Sequence, residues 1–329
     1  MVFNLIKATE AHISKGKIRG KNSIHYYPSE ASVKIKNPDG TVKILGNCLR
    51  KSYLRCIGAE AGEKNRDNNF SAELGNACES YLIEKWKEMG IWEGDHVKWY
   101  DSTYNISGEL DAILKQPAGA YFGVEIKTIH HYKQETEIFG NSRVIGKPND
   151  RHLLQTVIYK YEWPELEYFE MFYLHRGSGR HTTYRITLIQ DELADGKVVH
   201  RPMVEGHVIM DYTVEDIFDR YQLLDDCIKN KVVPPADFKY KYEKEEIEKR
   251  WKNKDISKSK YDLWKKTRSK SSSNWPGDWE CRYCPYTNLC FDGFGNLKEI
   301  TANGDSVPLE DLDIIISGEN NNEGETTKS

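Results

Sequence analysis

The stretch GVEIKTIHH, residues 123–131, decides the reading of this chain. Val124, Ile126, Thr128 and Ile129 are β-branched, and Tyr121-Phe122 leads in, so the segment 121–129 predicts a strand. Glu125 and Lys127 interrupt it. Side chains alternate across a strand, so these two charges share one face of an apolar element. Burying both is costly unless something pairs with them. Just upstream, SGELDAIL (107–114) predicts another strand, with Asp111 among apolar neighbours and a turn at Pro117-Ala118-Gly119 before the next strand. If the two strands form a hairpin, Asp111 and Glu125 face each other at one end. Two carboxylates aimed at one point bind a hard cation such as Mg²⁺ or Mn²⁺. A lysine beside them can orient a water or offset charge building on a phosphate. A solvated edge strand is the bland alternative, since acid-x-Lys is common in a charged chain.

Outward from this strand, residues 71–89 predict an amphipathic helix closed by Gly90, and His96–Tyr104 a strand. Residues 150–162 predict a helix ending before Pro164. Tyr168–Leu174 and Thr182–Ile189 predict strands, and residues 214–230 a helix. Near the N-terminus, Val33, Ile35, Val42 and Ile44 flank Asn37-Pro38-Asp39-Gly40, a hairpin signal, and residues 47–57 predict a short basic helix. No repeats are found.

The 329 residues are 38% hydrophobic and 30% charged, enough for a sizeable core with a generous polar surface. A net charge of −4 confines any nucleic-acid surface to a local patch. There is no run of about 18 apolar residues, so no membrane span is expected, and no signal-peptide pattern, so a cytoplasmic location is expected.

Seven cysteines, an odd number, argue against a disulfide framework. Three fall within CRYCPYTNLC: Cys281, Cys284 and Cys290. Three soft ligands need a fourth. Residues 239–270 carry a surplus of seven basic residues, interleaved with Tyr240, Tyr242, Trp251, Tyr261 and Trp264. That pattern suits phosphate contact and base stacking, or equally a charged helix with a buried aromatic stripe.

In order along the chain, Gly75-x-x-x-Glu79, Gly108-Glu109-Leu110-Asp111, Val124-Glu125-Ile126-Lys127-Thr128 and Gln155-x-x-x-Tyr159, with His152 three residues before the glutamine, resemble the PD-(D/E)XK nuclease superfamily, and within it the RecB-like branch. Glu79 departs from that branch, which often has histidine there. The resemblance implies an α/β fold with a restriction-endonuclease-like core, a mixed central sheet flanked by helices. It implies Glu79, Asp111 and Glu125 as metal ligands, with the Ile126 carbonyl a further one. Lys127 is then the catalytic lysine, Gln155 supports the active site, and Tyr159 contacts DNA.

Asn47-Cys48-Leu49-Arg50-Lys51 resembles the C-P-R segment of iron–sulfur nucleases of the CRISPR-adaptation and AddB types, with Leu49 in place of proline. This implies a [4Fe-4S] cluster on Cys48, Cys281, Cys284 and Cys290. Zn²⁺ in its place, or Cys56 as fourth ligand, are alternatives. By analogy with disulfides, closing a loop of more than 200 residues stabilises on the order of 5 kcal/mol, so the cluster is expected to act as a structural staple.

Arg50, Lys51 and Tyr159 are the expected DNA contacts. The expected organisation is a hairpin region (1–46), a nuclease domain (47–292) with a basic insertion (239–276), and a polar tail (293–329). The expected function is a metal-dependent deoxyribonuclease, an exonuclease on single-stranded ends in recombination, repair or CRISPR spacer processing, with a helicase, recombinase or integrase as partner. A non-catalytic DNA-binding scaffold subunit, or an endonuclease within an integration complex, are the alternatives.

Overall fold

The computed structural model describes residues 25–37, 40–59, 61, 67–130, 132–205, 208–267, 274–291 and 307–308. Residues 1–24, residues 268–273 of the expected basic insertion and all of the expected tail except 307–308 lie outside these. The chain divides into two compact units: Met1–Asn47 with Asn65–Asp225, and Cys48–Lys64 with Asp226–Ser329. The hairpin region thus shares a unit with the expected catalytic strands, and the segment around Cys48 shares the other with CRYCPYTNLC.

In the first unit, β1 (Ser32–Lys36) and β2 (Val42–Gly46) pair as the predicted hairpin. Tyr26, ahead of it, bridges to Ile106. The main sheet holds seven strands in the order of the chain: β3 (Trp92–Asp101), β4 (Ile106–Lys115), β5 (Tyr121–Ile129), β6 (Phe169–His175), β7 (His181–Glu192), β8 (Val198–Val204) and β9 (Val208–Ile209). Every neighbouring pair is antiparallel except β5 and β6, which are parallel. A parallel neighbour requires a crossover, and two helices supply it, α3 (Tyr132–Phe139) and α4 (Asp150–Glu162). The sheet is therefore mixed, as the α/β expectation required.

β5 is an interior strand, and Gly123, Val124, Glu125, Ile126 and Ile129 are all buried on it. One of its faces meets α2 (Asp67–Glu88). Ile83 and Trp86 of that helix form a core with Ala112, Leu114, Val124 and Ile126. Leu74 and Tyr81, which the helical pattern assigns to the same side, are instead exposed. Burying Ile83 and Trp86 fixes the helix rotation and leaves those two outside. The buried residues of α4 run from Leu153 through Tyr159, and Asn149 caps its start by accepting from the Arg151 N–H.

β8 and β9 have no counterpart in the sequence reading. Pro202 breaks the usual strand signature, yet it sits paired with Leu188. The unit ends in α5 (Val214–Lys229), which crosses the boundary at Asp225.

In the second unit, α1 (Leu49–Cys56) is the predicted short helix. A two-residue strand β10 (Val232–Val233) pairs with β11 (Val307–Pro308). Helices α6 (Lys244–Lys252) and α7 (Lys258–Lys265) enclose a core of Tyr242, Ile247, Ile256, Tyr261, Trp264 and Trp275. Trp251 packs against this core and stacks on Tyr261 with ring centroids 4.5 Å apart. Most of the aromatics read as base-stacking candidates are therefore structural. Two short helices, α8 (Trp279–Arg282) and α9 (Thr287–Phe291), carry Cys281 and Cys290, and Cys284 lies in the turn between them. Among the described residues no helix is long and apolar enough to cross a membrane.

Candidate active site

The β4–β5 ladder runs from Lys115↔Tyr121 to Ala112↔Val124 and stops one pair short of Asp111 and Glu125. Beyond that point the Asp111 side chain takes over from the backbone. Its Oδ2 accepts the Ile126 N–H at 2.7 Å. The two strands thus part while Asp111 stays tied to the E-x-K segment. Val124 and Ile126 face α2, so Glu125 and Lys127 face the other way, towards α4.

There Gln155 Nε2 donates to Glu125 Oε1 at 2.7 Å and lies 3.0 Å from the Tyr159 hydroxyl. Tyr159 in turn donates to the Glu109 carbonyl at 3.1 Å. The Lys127 ammonium bonds the same Glu125 Oε1. Glu125 is 1% exposed, and its Oε2 has no hydrogen-bond partner.

Glu79 arrives from α2. A Cβ on Gly75, one turn earlier, would lie 3.3 Å from the Thr128 hydroxyl, so glycine lets the helix lie close to β5 at that turn. Asp111, Glu125 and Glu79 are near enough to perturb one another. Burial first, and Asp111 second, raise Glu125 to about 8 and Glu79 to about 7. Burial also raises Asp111, against the pull of Lys127. Burial opposes the Lys127 charge, but Glu125 and Asp111 outweigh it and hold its pKa above the ordinary lysine value. His152 is pushed down to about 3 by burial and by Lys127, so its ring is neutral beside the Tyr173 hydroxyl at 3.1 Å.

Two residues escaped the sequence reading. His96 adopts φ 50° in β3 and places Nδ1 2.9 Å from Glu109 Oε1 and Nε2 3.7 Å from Glu79 Oε1. Only the fold brings it here. Glu109 had a signal: in G-E-L-D it stands two residues before Asp111, on the same face of the strand.

Two of the three expected DNA contacts do not face solvent. Arg50 is 1% exposed and Tyr159 is 3% exposed. Tyr159 is committed to the Glu109 carbonyl, and the Arg50 Nε donates to the Pro234 carbonyl at 2.6 Å. Lys51 is half-buried.

In the second unit, Cys281 and Cys290 are buried, and Cys48 and Cys284 are half-buried. Burial raises the Cys290 thiol to about 12 and raises Cys281 as well, and the fields of Cys48 and Cys284 add to both. Cys48 is thus near enough to perturb Cys281 and Cys290. Burial raises Cys48 too, against hydrogen bonds from the backbone of Asp237 and Lys51.

Among the described residues, no group of three or more His, Cys, Asp or Glu side chains is arranged as it stands to hold a metal ion. In the first unit the reason is visible. Lys127 occupies one Glu125 oxygen, and a backbone amide occupies one oxygen of Asp111. The donor chemistry nevertheless suits a hard cation. Three crowded, partly desolvated carboxylates share the single ammonium of Lys127, and one buried carboxylate oxygen has no partner.

The PD-(D/E)XK nuclease superfamily model matches residues 50–291. The chain belongs to this superfamily. Members of the PD-(D/E)XK superfamily are generally nucleases, and the match spans Asp111, Glu125 and Lys127. No curated relative matches by sequence. Among solved structures, one described as the crystal structure of SSO0001 is 14% identical over 88% of this chain and 98% of that one, with a TM-score of 0.45. A likeness at that level carries no argument about activity.

Proposed function

We propose that this PD-(D/E)XK protein hydrolyses DNA phosphodiester bonds with a divalent cation, Mg²⁺ or Mn²⁺, held by Asp111, Glu125 and Glu79, with the Ile126 carbonyl a further oxygen. The observation that carries this reading is Glu125 Oε2, a buried carboxylate oxygen without a partner beside two other carboxylates. A cation bound there supplies Lewis-acid polarisation of the scissile phosphate and makes a nearby water more acidic. The chain's own residues do the rest. Gln155 fixes the Glu125 carboxylate through Oε1, and Tyr159 fixes the glutamine from behind. Asp111 is held in register by the Ile126 amide. Lys127 keeps its proton, so it can donate to a water or to a phosphate oxygen that gains charge. The neutral His152 adds no charge that would compete for the carboxylates.

The four cysteines, in this reading, hold a [4Fe-4S] cluster as a staple, and Zn²⁺ is the alternative occupant. Their mutual influence across α1, α8 and α9 supports a shared site. The RecB-like branch is supported by the Gln155-x-x-x-Tyr159 pair, in which Gln155 donates to both Glu125 and the Tyr159 hydroxyl. Exonuclease action on single-stranded ends draws less support, because most of the aromatics in 239–276 build their own core.

The experiment is cleavage of end-labelled linear and circular single-stranded DNA in Mg²⁺, Mn²⁺ or EDTA, comparing the unaltered chain with Lys127→Ala. Metal-dependent cleavage that falls by roughly 10²–10³-fold in the variant supports the site. Cleavage of linear but not circular DNA supports exonuclease action. Equal activity in both proteins would overturn the assignment of Lys127. DNA binding without cleavage in either would favour the scaffold reading.

A further inference from the structure

Arg50 is among the most buried large side chains of the protein, at 1% exposure. Burying a guanidinium is costly unless its five N–H groups find acceptors and its charge finds a counter-charge. One acceptor is the Pro234 carbonyl, 2.6 Å from Nε. A second is the Cys290 sulfur, to which the side chain is hydrogen-bonded. Nη1 is buried with no partner at all. An arginine that serves only to anchor a loop does not need an unanswered donor beside a cysteine that feels Cys48 and Cys284.

The surrounding sequence points the same way. Arg50 lies two residues after Cys48, the residue that caps the start of α1. The Cys48 sulfur accepts from the backbone N–H groups of Asp237 and Lys51. Four thiolates around Zn²⁺ or a [4Fe-4S] cluster leave a net negative charge inside the protein. That is the counter-charge Arg50 lacks.

We propose that Arg50 is the charge-compensating, positioning residue of the four-cysteine site. It holds the Cys290 sulfur and sets its charge against that of the metal-bound sulfurs. This rests on the reading of Cys48, Cys281, Cys284 and Cys290 as one metal site. It also replaces the expectation that Arg50 meets DNA.

The test uses the full chain, purified without oxygen, with Arg50→Met and Arg50→Lys beside the unaltered protein. Iron, zinc and sulfide per chain are measured, then the rate of metal release to a chelator, with melting temperature followed in parallel. Arg50→Met should release metal roughly 10- to 100-fold faster, the usual cost of removing an outer partner of a metal ligand. Arg50→Lys keeps the charge and should lie between. If the metal is iron, the midpoint potential should fall in Arg50→Met, about 59 mV for each tenfold loss of preference for the reduced cluster. Should Arg50→Met not fold, release from Arg50→Lys faster than from the unaltered protein still supports the proposal. Release and potential unchanged in both variants, with only the melting temperature lowered, would overturn it and leave Arg50 a mere anchor for Pro234. An unaltered chain that holds no iron or zinc would overturn the four-cysteine reading and this proposal with it.

Discussion

Replacing Glu125 by glutamine should reduce a pH dependence that the buried carboxylates impose on folding. Glu125 rises from 4.5 to about 8 on burial in the company of Asp111. Between those values the folded chain holds a proton that the unfolded chain has released. Stability therefore falls as pH rises through that window, because the folded state binds more protons. Each pH unit is worth about 1.4 kcal/mol, so three and a half units set a ceiling of about 5 kcal/mol. Lys127 shares the same proton balance, so about 2–4 kcal/mol between pH 5 and 8 is the expected size. Glutamine cannot ionise, and the slope should shrink by about one proton's worth. The intercept is a poorer readout, since glutamine also deprives Lys127 of a charged partner. The assay is hydrogen exchange of a peptide spanning 121–130, in graded urea with EDTA, at pH 5, 6, 7 and 8. This reports on β5 itself. Saturating Mg²⁺ should flatten the slope in the unaltered chain, since a bound cation favours the ionised carboxylates. A flat or rising stability in EDTA, or an equal slope in Glu125→Gln, would refute the reasoning.

Three further outcomes are expected. Tyr159→Phe removes the donor to the Glu109 carbonyl and should cost about 1–2 kcal/mol in urea unfolding, while DNA affinity in a filter-binding assay stays where it was. Gly123→Ala places a Cβ inside the ring of Phe169, which is fully buried, and should lower stability by about 1–3 kcal/mol. Cys48→Ser and Cys290→Ser should each empty the metal site by elemental analysis, whereas Cys56→Ser should retain it.

Much of the site was legible because it is local. Period-two alternation puts Glu125 and Lys127 on one face, and period 3.6 puts Gln155 and Tyr159 on one side of α4. Neither depends on the rest of the chain. The strand 121–129 and the helix 150–162 were read with their bounds for the same reason, being strongly patterned and closed by turn signals. The strand Val198–Val204 was not, because Pro202 contradicts the local signature and only its place beside β7 makes it a strand.

What the sequence by itself determined is the order of the four motifs, hence the superfamily, and the spacing of three cysteines in ten residues. Those are properties of neighbours along the chain. The tertiary structure alone decided which charges meet. His96 reaches Glu79 and Glu109 because β3 turns through a positive φ opposite the aspartate strand. Asp111 serves the Ile126 amide because the ladder ends one pair early. Arg50 and Tyr159, read as surface contacts from their company in the sequence, are buried, because a side chain's exposure is set by what packs over it. Most of the aromatics of 239–276 pack on one another rather than facing solvent. Pattern fixes which side of an element a residue occupies, and only packing fixes whether that side faces water.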